Sequence, residues 1–540
     1  MTSKAESGTG ADSRLLATTG SIAIATLTSR ITGFMKQVLI AAVLGGAIGS
    51  SFTVASVIPN MISEFVLGAV LTQVVIPVLV RSEAEDPDGG AMFIRRLFNA
   101  ALVTLGTAAV LATAAAPLLT YLYLGPHPKV DPHLTTTLSY LLLPAILFYG
   151  LTALFTGILN TRLNFKPGAW APVLNNVVFL AVLISYWFLP ESLGTTRLYI
   201  LGVGATFGVL SQVILLFTAI RKAGVDLRPK WGLDDRLRKF GGMAAAVLLY
   251  VAISQVGFIV ATNVSAGHDV AGPIIYSNAW LLLQLPYGVI GVTLLTAIMP
   301  RMSRKAAAND SQGVIEDLTM GTRLTFLGLL PIVVFLTLMG RQVGVALYGY
   351  GKFTGDAARL GEAVSWSAFT LIPYALVLLY LRVFYAQERA WTPVWIVVGI
   401  TTVKIVLSVL TPQVASDDNH VVILLGVANG LAYVTGAIIS VALLRRSLGH
   451  LQLQAVVRTF AQIMVASLVA GLVMFGFDWV AHLGHLPQAY GGIGALVRVA
   501  IDGILYLGVT GVGLLLLRVP EVTMIWRSVT QRLRPAKSGQ

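Results

Sequence analysis

Apolar runs of roughly 20 to 30 residues recur along the 540-residue chain, separated by short polar stretches. At about 1.5 Å per residue, each run is long enough to cross a hydrocarbon core about 30 Å thick. The runs begin near Thr19, Ser51, Leu97, Leu138, Ala169, Leu198, Gly241, Pro273, Thr325, Ala363, Pro393, Val421, Thr459 and Ile493. This pattern predicts an all-α polytopic membrane protein of about fourteen transmembrane helices. The residues before Thr19 are polar and small, with no apolar segment ahead of a cleavage site, so the first helix is expected to be retained.

Composition sharpens the picture. The chain is 56% hydrophobic and 11% charged, with a mean hydropathy of +0.80, a balance foreign to a domain covered by water. It has no cysteine, which excludes disulfides and thiolate metal sites. The net charge of +13 would suit nucleic acid only on a water-soluble basic module, and the pattern leaves no room for one. Sorted by loop, roughly 27 of the 37 Lys and Arg fall on the side of the termini and about 4 on the other. The rule that positive loops stay inside therefore predicts a plasma-membrane protein with cytoplasmic N- and C-termini.

The densest basic stretch, Arg221 to Lys239, lies at the midpoint, where it can anchor the chain on anionic lipid or receive anionic headgroups. The halves on either side look alike. Pro59, Pro77 and Arg81 in the first correspond to Pro286, Pro300 and Arg304 in the second. Asn160, Thr161, Arg162 and Pro172 correspond in form to Tyr385, Arg389, Thr392 and Pro393. The pattern implies two six-helix repeats in one orientation, with two helices appended, and a transport route between repeats. Gly33, Pro59, Pro286 and Pro373 are candidate breaks inside spans, serving either motion or packing.

Ionisable residues inside spans need a partner or a purpose, because each costs about 2.5 to 3.5 kcal/mol at the bilayer centre. Arg341 and Arg382 lie near helix ends and can reach the interface. Arg498 and Asp502, four residues apart, can pair on one helix face. Arg30, Lys36 and Glu64 share a depth range in antiparallel spans, and three charges leave a spare cation. They form either an internal ion pair with one extra cation or a cationic site in a wet cavity. Lys404 is a further cation at mid-depth, pairing with a carbonyl or facing a wet groove. The excess of cations over acids at depth predicts an anionic cargo, and its outward movement is favoured by an inside-negative potential.

The segment Ser29-Arg30-Ile31-Thr32-Gly33-Phe34-Met35-Lys36 resembles the opening signature of the MurJ/MviN family of lipid II flippases, in the multidrug/oligosaccharidyl-lipid/polysaccharide superfamily. Pro59-Asn60 with Gln73 and Pro77, Gly157 to Arg162 with Ala171 to Asn175, Leu285 to Val289 through Pro300, and Phe384 to Ala386 with Thr392-Pro393 follow in the family's order. With Trp280 and Gln284, the pattern looks like the divergent actinobacterial branch.

This resemblance implies a V-shaped pair of six-helix lobes plus two helices, carrying polyprenyl-pyrophosphate-linked disaccharide pentapeptide outward by alternating access. It places the family's Ser-Arg pair on Ser29 and Arg30 and its second basic residue, usually Arg, on Lys36. With the charges inside spans and Asn60, the expected substrate site is Ser29, Arg30, Lys36, Asn60, Glu64, Arg382 and Lys404. The family's basic residue in span 8 falls near Ala279 and its early acid in span 2 near Ser50, so this chain departs there. Spans 7 and 11 hold no acids, which argues against the sodium coupling of some relatives. The implied division is a cytoplasmic tail (1–18), a first lobe (19–222), a basic linker (223–240), a second lobe (241–446), two further helices (447–518) and a basic tail (519–540). Expected partners are lipid II or a related glycolipid, the membrane and cell-wall synthesis proteins, with no nucleic acid and no cofactor. Export of another polyprenyl-linked glycan, multidrug antiport and a non-transporting scaffold are the alternatives. A polyprenyl-dependent enzyme would need catalytic acids on a sizeable outer loop, and the first outer loop is only about Gly45 to Ser50, so catalysis is not expected.

Overall fold

The computed structural model describes residues 6–63, 76–232, 241–308, 310–387, 389 and 391–523. Among these residues the regular structure is helical throughout. In chain order come α1 (Glu6–Ser63), α2 (Ile76–Glu85), α3 (Ala91–Ala114), α4 (Ala116–Leu124), α5 (Pro132–Leu142), α6 (Ala145–Thr161), α7 (Lys166–Phe188) and α8 (Thr195–Lys222). They are followed by α9 (Gly241–His268), α10 (Gly272–Pro286), α11 (Val292–Ala307), α12 (Ser311–Tyr348), α13 (Ala357–Ser367) and α14 (Leu371–Ala386). The last four are α15 (Trp391–Val414), α16 (Asp418–Leu448), α17 (Leu453–Val480) and α18 (His485–Leu516).

Eleven of the described helical runs are long and apolar enough to cross a membrane, and twelve if α5 and α6, bent by 41°, form one span. The first run, Gly20–Met61, is 42 residues long and takes in the first expected span and the opening residues of the second, from Ser51. It is broken at Gly45, whose φ of 72° is open to glycine and strained for a side chain. The expected eighth span is divided between α10 and α11, of 15 and 16 residues, by a π turn over Tyr287–Gly291 just after Pro286. Proline withdraws a backbone donor there, and the wider turn absorbs the defect. Gly33, by contrast, lies in unbroken helix.

The chain forms two compact units, residues 1–259 and 260–540. In the first, α1 packs along α7, α5 and α6, and α8 closes against α7 and α6. Phe52 of α1 stacks on Phe179 of α7 at 5.6 Å between centroids, and Phe155 of α6 bridges Phe98 and Phe217 at 6.0 and 6.3 Å. Such ring pairs supply directional packing where hydrocarbon removes the usual hydrophobic drive.

In the second unit the 38-residue α12 is the central post, touching α11, α13, α14, α17 and α18. Its crossing with α13 depends on glycine. A Cβ on Gly344 would stand 2.5 Å from the Ala357 carbonyl oxygen, and one on Gly361 would stand 2.4 Å from that of Gly340. Backbones at this range exclude any side chain. The outward surface is apolar, as a hydrocarbon solvent requires. On α17, Leu472 and Trp479 are 73% and 77% exposed.

Charges in this unit meet across helices. Arg498 of α18 donates to both carboxylate oxygens of Asp478 on α17, at 2.9 and 2.7 Å. Its expected i,i+4 partner Asp502 is more distant, at 3.8 Å, although fully buried. The two-pronged Asp478 contact thus replaces the same-helix pair as the main interaction. Arg341, expected to reach the interface, pairs with Glu362 of α13 at 3.2 Å.

Replacing Arg498 with Leu leaves Asp478 and Asp502 facing each other in an apolar environment. The expected cost is about 3 to 5 kcal/mol, the range for an orphaned buried charge. Arg498→Leu combined with Asp478→Leu should recover most of it. Thermal denaturation of the detergent-purified chain tests this, and a double variant no more stable than the single one would refute the pairing.

Candidate functional site

The first arm of α1 presents the expected signature with different faces doing different work. Ile24, Leu27, Ile31 and Met35 recur at helical spacing and are 51% to 61% exposed, which marks the lipid-facing stripe. On another face the buried Asn176 of α7 donates through Nδ2 to the Ser29 carbonyl oxygen and to Thr32 Oγ1, both at 3.2 Å. Thr32 in turn donates to the Thr28 carbonyl oxygen at 2.8 Å. Gly33 allows this approach, since a Cβ there would lie 3.3 Å from the Asn176 amide nitrogen. The residue read as a possible break is thus a packing notch for Asn176, a partner that lies far off in sequence.

The cations stand on either side of this clamp. Arg30 is exposed and Lys36 half-buried. Six residues of helix separate them by about 9 Å along the axis and about 120° around it. Among the described residues, neither enters an ion pair with an acid. Ser29 is half-buried and carries the clamp through its backbone. Asn60 lies exposed on the second arm of α1, beside Met61, whose sulfur accepts a hydrogen bond from Tyr123 at 3.0 Å. Glu64, expected to orient the cations, and Gln73 lie outside the described residues.

The second unit holds Lys404 and Arg382. Lys404 of α15 sets its Nζ 5.9 Å from the ring centroid of Tyr276 on α10, a cation–π distance. One helical turn along α10, Trp280 stacks on Tyr433 of α16 at 6.0 Å and meets Tyr374 of α14 edge-on at 5.2 Å. Tyr374 also contacts Tyr433 at 5.1 Å and Tyr287 at 5.0 Å. Four polar-tipped rings from three helices and the π turn form one cluster. Arg382 of α14 is exposed, within electrostatic reach of Tyr287 and Tyr385. Lys404 thus meets Tyr276 one turn from this aromatic cluster and Arg382 lies near its Tyr287; sequence reading did not single out the cluster. The available signal was the run of Tyr and Trp deep inside apolar stretches.

A crevice of about 10 Å³ lined by Tyr276, Trp280, Ser367 and Asn429 has room for about one water. A wider groove of about 480 Å³ runs between α14 and α16. Ile372, Leu376, Val434, Ile438 and Val441 line it, and Arg445 stands at its rim. Such a groove suits an aliphatic chain.

Two units of membrane-spanning helices with cations held among them define a polytopic membrane carrier. A family model described as lipid II flippase MurJ matches residues 40–488. The chain belongs to this family. The match starts beyond Ser29 to Lys36, so that segment's resemblance rests on its own residues. The chain is 26% identical over 473 residues to the lipid II flippase MurJ of Burkholderia cenocepacia, covering 84% of this chain and 89% of that one. It is 26% identical over 537 residues to a probable lipid II flippase MurJ of Rhizobium tropici, covering 95% and 96%. Its fold matches that of a lipid II flippase MurJ in an inward closed conformation, with a TM-score of 0.71 and 18% identity over 91% of this chain and 98% of that one. An inward-facing multidrug resistance MATE transporter of the MOP superfamily matches with a TM-score of 0.64 and 14% identity over 78% and 95%.

Asn176→Leu should remove the clamp at a cost of about 1 kcal/mol, the net worth of a typical buried hydrogen bond. Transport should fall further than that small loss of stability explains, because the cations lose their fixed bearing. Thermal denaturation and transport measured on one preparation separate the two effects. Full transport in the variant would show that the clamp does not position the site.

Proposed function

We propose that this protein carries lipid II, the lipid-linked peptidoglycan precursor, from the cytoplasmic to the outer leaflet by alternating access. The observation that carries the reading is the pair of cations on one arm of α1, neither paired with an acid among the described residues. A pyrophosphate offers several anionic oxygens, and two cations about two turns apart can hold it from both sides. Lys36 acts as a point charge, whereas Arg30 can form a two-pronged contact. On this reading Ser29 and Asn60 add polar contacts, and Glu64 restrains the cations between cargoes. Lys404 and Arg382 beside the tyrosine cluster receive sugar or peptide groups of the cargo. Aromatic faces suit sugar rings, and phenolic tips supply hydrogen bonds.

The two repeats, residues 19–222 and 241–446, would act as rocking lobes, with 447–518 as two accessory helices. The termini and the basic linker face the cytoplasm, as the distribution of Lys and Arg requires. The chain acts as a carrier and not as a catalyst, and its additional partners are cell-wall synthesis proteins. The similarity to lipid II flippases of other bacteria supports lipid II in particular over another polyprenyl-linked glycan.

Cells depleted of the protein should lose lipid II from the outer leaflet and regain it with the wild-type chain. Arg30→Ala and Lys36→Ala should each reduce rescue by about tenfold or more, the range for losing one charge-assisted contact. The measurement is labelling of lipid II accessible from outside, at matched protein levels. Unchanged outer-leaflet lipid II on depletion would sink the proposal, and full rescue by both variants would favour a scaffold.

A further inference from the structure

A second basic site lies in the second unit, away from every residue used above. A pocket of about 460 Å³ is bounded by Arg323, Gln454, Arg458, Thr459, Gln462 and Arg518. It sits where α17 begins and α18 ends, beside α12. Arg323 is already committed. It reaches Glu521 at 2.7 Å and donates through Nε to Thr459 Oγ1 at 2.9 Å. Glu521 is buried and neutralises that one guanidinium. Arg458 and Arg518 are exposed, and neither forms an ion pair among the described residues. The sequence from 524 to 540 contains no Asp or Glu, so it supplies no acidic side chain to either.

Two backbone features sharpen the preference for an anion. First, α17 begins at Leu453 with no side chain capping its first turn, and Gln454 and Ala455 of that turn line the pocket. Free N–H groups and the positive end of a long helix favour negative charge. Second, Arg518 adopts φ 51°, the left-handed conformation that favours glycine. It closes α18 in a Schellman turn, with Val519 N–H donating to the Leu514 carbonyl oxygen at 3.1 Å and Arg518 N–H to that of Leu515 at 3.1 Å. Gln462 holds the same turn by donating to the Leu517 carbonyl oxygen at 3.0 Å. An arginine occupies the position where glycine would cost less, and its side chain borders the pocket.

Exposed apolar side chains flank the two arginines, Val457 beside Arg458 at 63% and Leu516 two residues from Arg518 at 76%. A cationic pocket edged by exposed apolar side chains, at the ends of two apolar helices, fits an amphiphile with an anionic phosphate and not a free ion in water. We propose that this pocket binds the phosphate headgroup of an anionic phospholipid, on the side of the membrane where α17 begins and α18 ends. Bound lipid would link α12, α17 and the end of α18 through one headgroup.

The test uses the full chain purified in detergent and titrated with phosphatidylglycerol, phosphatidylcholine or inorganic phosphate, with bound species counted by native mass spectrometry. Phosphatidylglycerol should bind in preference to phosphatidylcholine. Arg458→Gln with Arg518→Gln should weaken it by about thirtyfold, about fivefold per arginine near the membrane surface. Arg518→Gly separates binding from folding. It relieves the backbone, so the thermal midpoint should hold or rise while phosphatidylglycerol affinity falls by about fivefold. Unchanged affinity in both variants would overturn the proposal. Displacement of the lipid by inorganic phosphate at equal concentration would overturn it too, because the site would then be one for free anions.

Discussion

The absence of water from the hydrocarbon layer is the constraint on which this structure depends. Each ionisable side chain set among the helices must be neutralised across a helix contact, reach the interface, or wait for a charged visitor. The second unit follows the first route at Arg498 with Asp478, at Arg323 with Glu521 and at Arg341 with Glu362. These pairs also fix which helices are neighbours, since a guanidinium held by two oxygens tolerates little sliding. Arg30 and Lys36 in the first unit meet no acid among the described residues. On the proposed reading, these two take the third route and wait for a charged visitor.

The backbone answers to the same constraint. A carbonyl or amide released in hydrocarbon has no water to turn to, so interruptions occur only where the chain can re-satisfy them. Gly45 kinks α1 with a conformation open to glycine, and Pro286 is followed at once by a π turn. That turn also places Tyr287 against Tyr374. A local defect in hydrogen bonding therefore shapes the aromatic cluster around which Lys404 and Arg382 are arranged. Glycine contributes differently at Gly344 and Gly361, where its value is closeness. Two backbones in direct contact gain dispersion energy that larger residues would forfeit.

Whatever depends on composition and period within one helix was legible in the sequence. The long apolar runs and the break at Pro286 belong to this kind, although Pro59 sits inside regular helix. Contacts between helices were not, because periodicity carries no information about which face meets which neighbour. Asp502 looked like the partner of Arg498 since it lies one turn away, yet Asp478 approaches from α17 with better geometry. Gly33 looked like a break until Asn176, from far along the chain, was found packed into its notch. The tyrosine cluster gathers single residues from α10, α14 and α16 that are unremarkable one by one. The described residues hold eleven or twelve membrane spans by length and composition, since one helical run can continue past a kink and one span can be divided between two helices.

The fold alone does not choose the cargo. A multidrug transporter shares this architecture at a TM-score of 0.64 with only 14% identity, so selectivity must reside in the side chains that the shared helices carry. A site for organic cations would need acids beside an aromatic cage, whereas the aromatic cluster here has Lys404 and Arg382 nearby and α1 offers Arg30 and Lys36. On the proposed reading these two attract a pyrophosphate and must also release it. Their exposure and half-burial favour that, because contacts open to water are weaker than fully enclosed ones. The membrane potential adds to the direction of travel, at about 2.3 kcal/mol per charge for each 100 mV, interior negative. A binding site of moderate strength with an outward electrical bias can load an anion on one side and lose it on the other without a deep energy well.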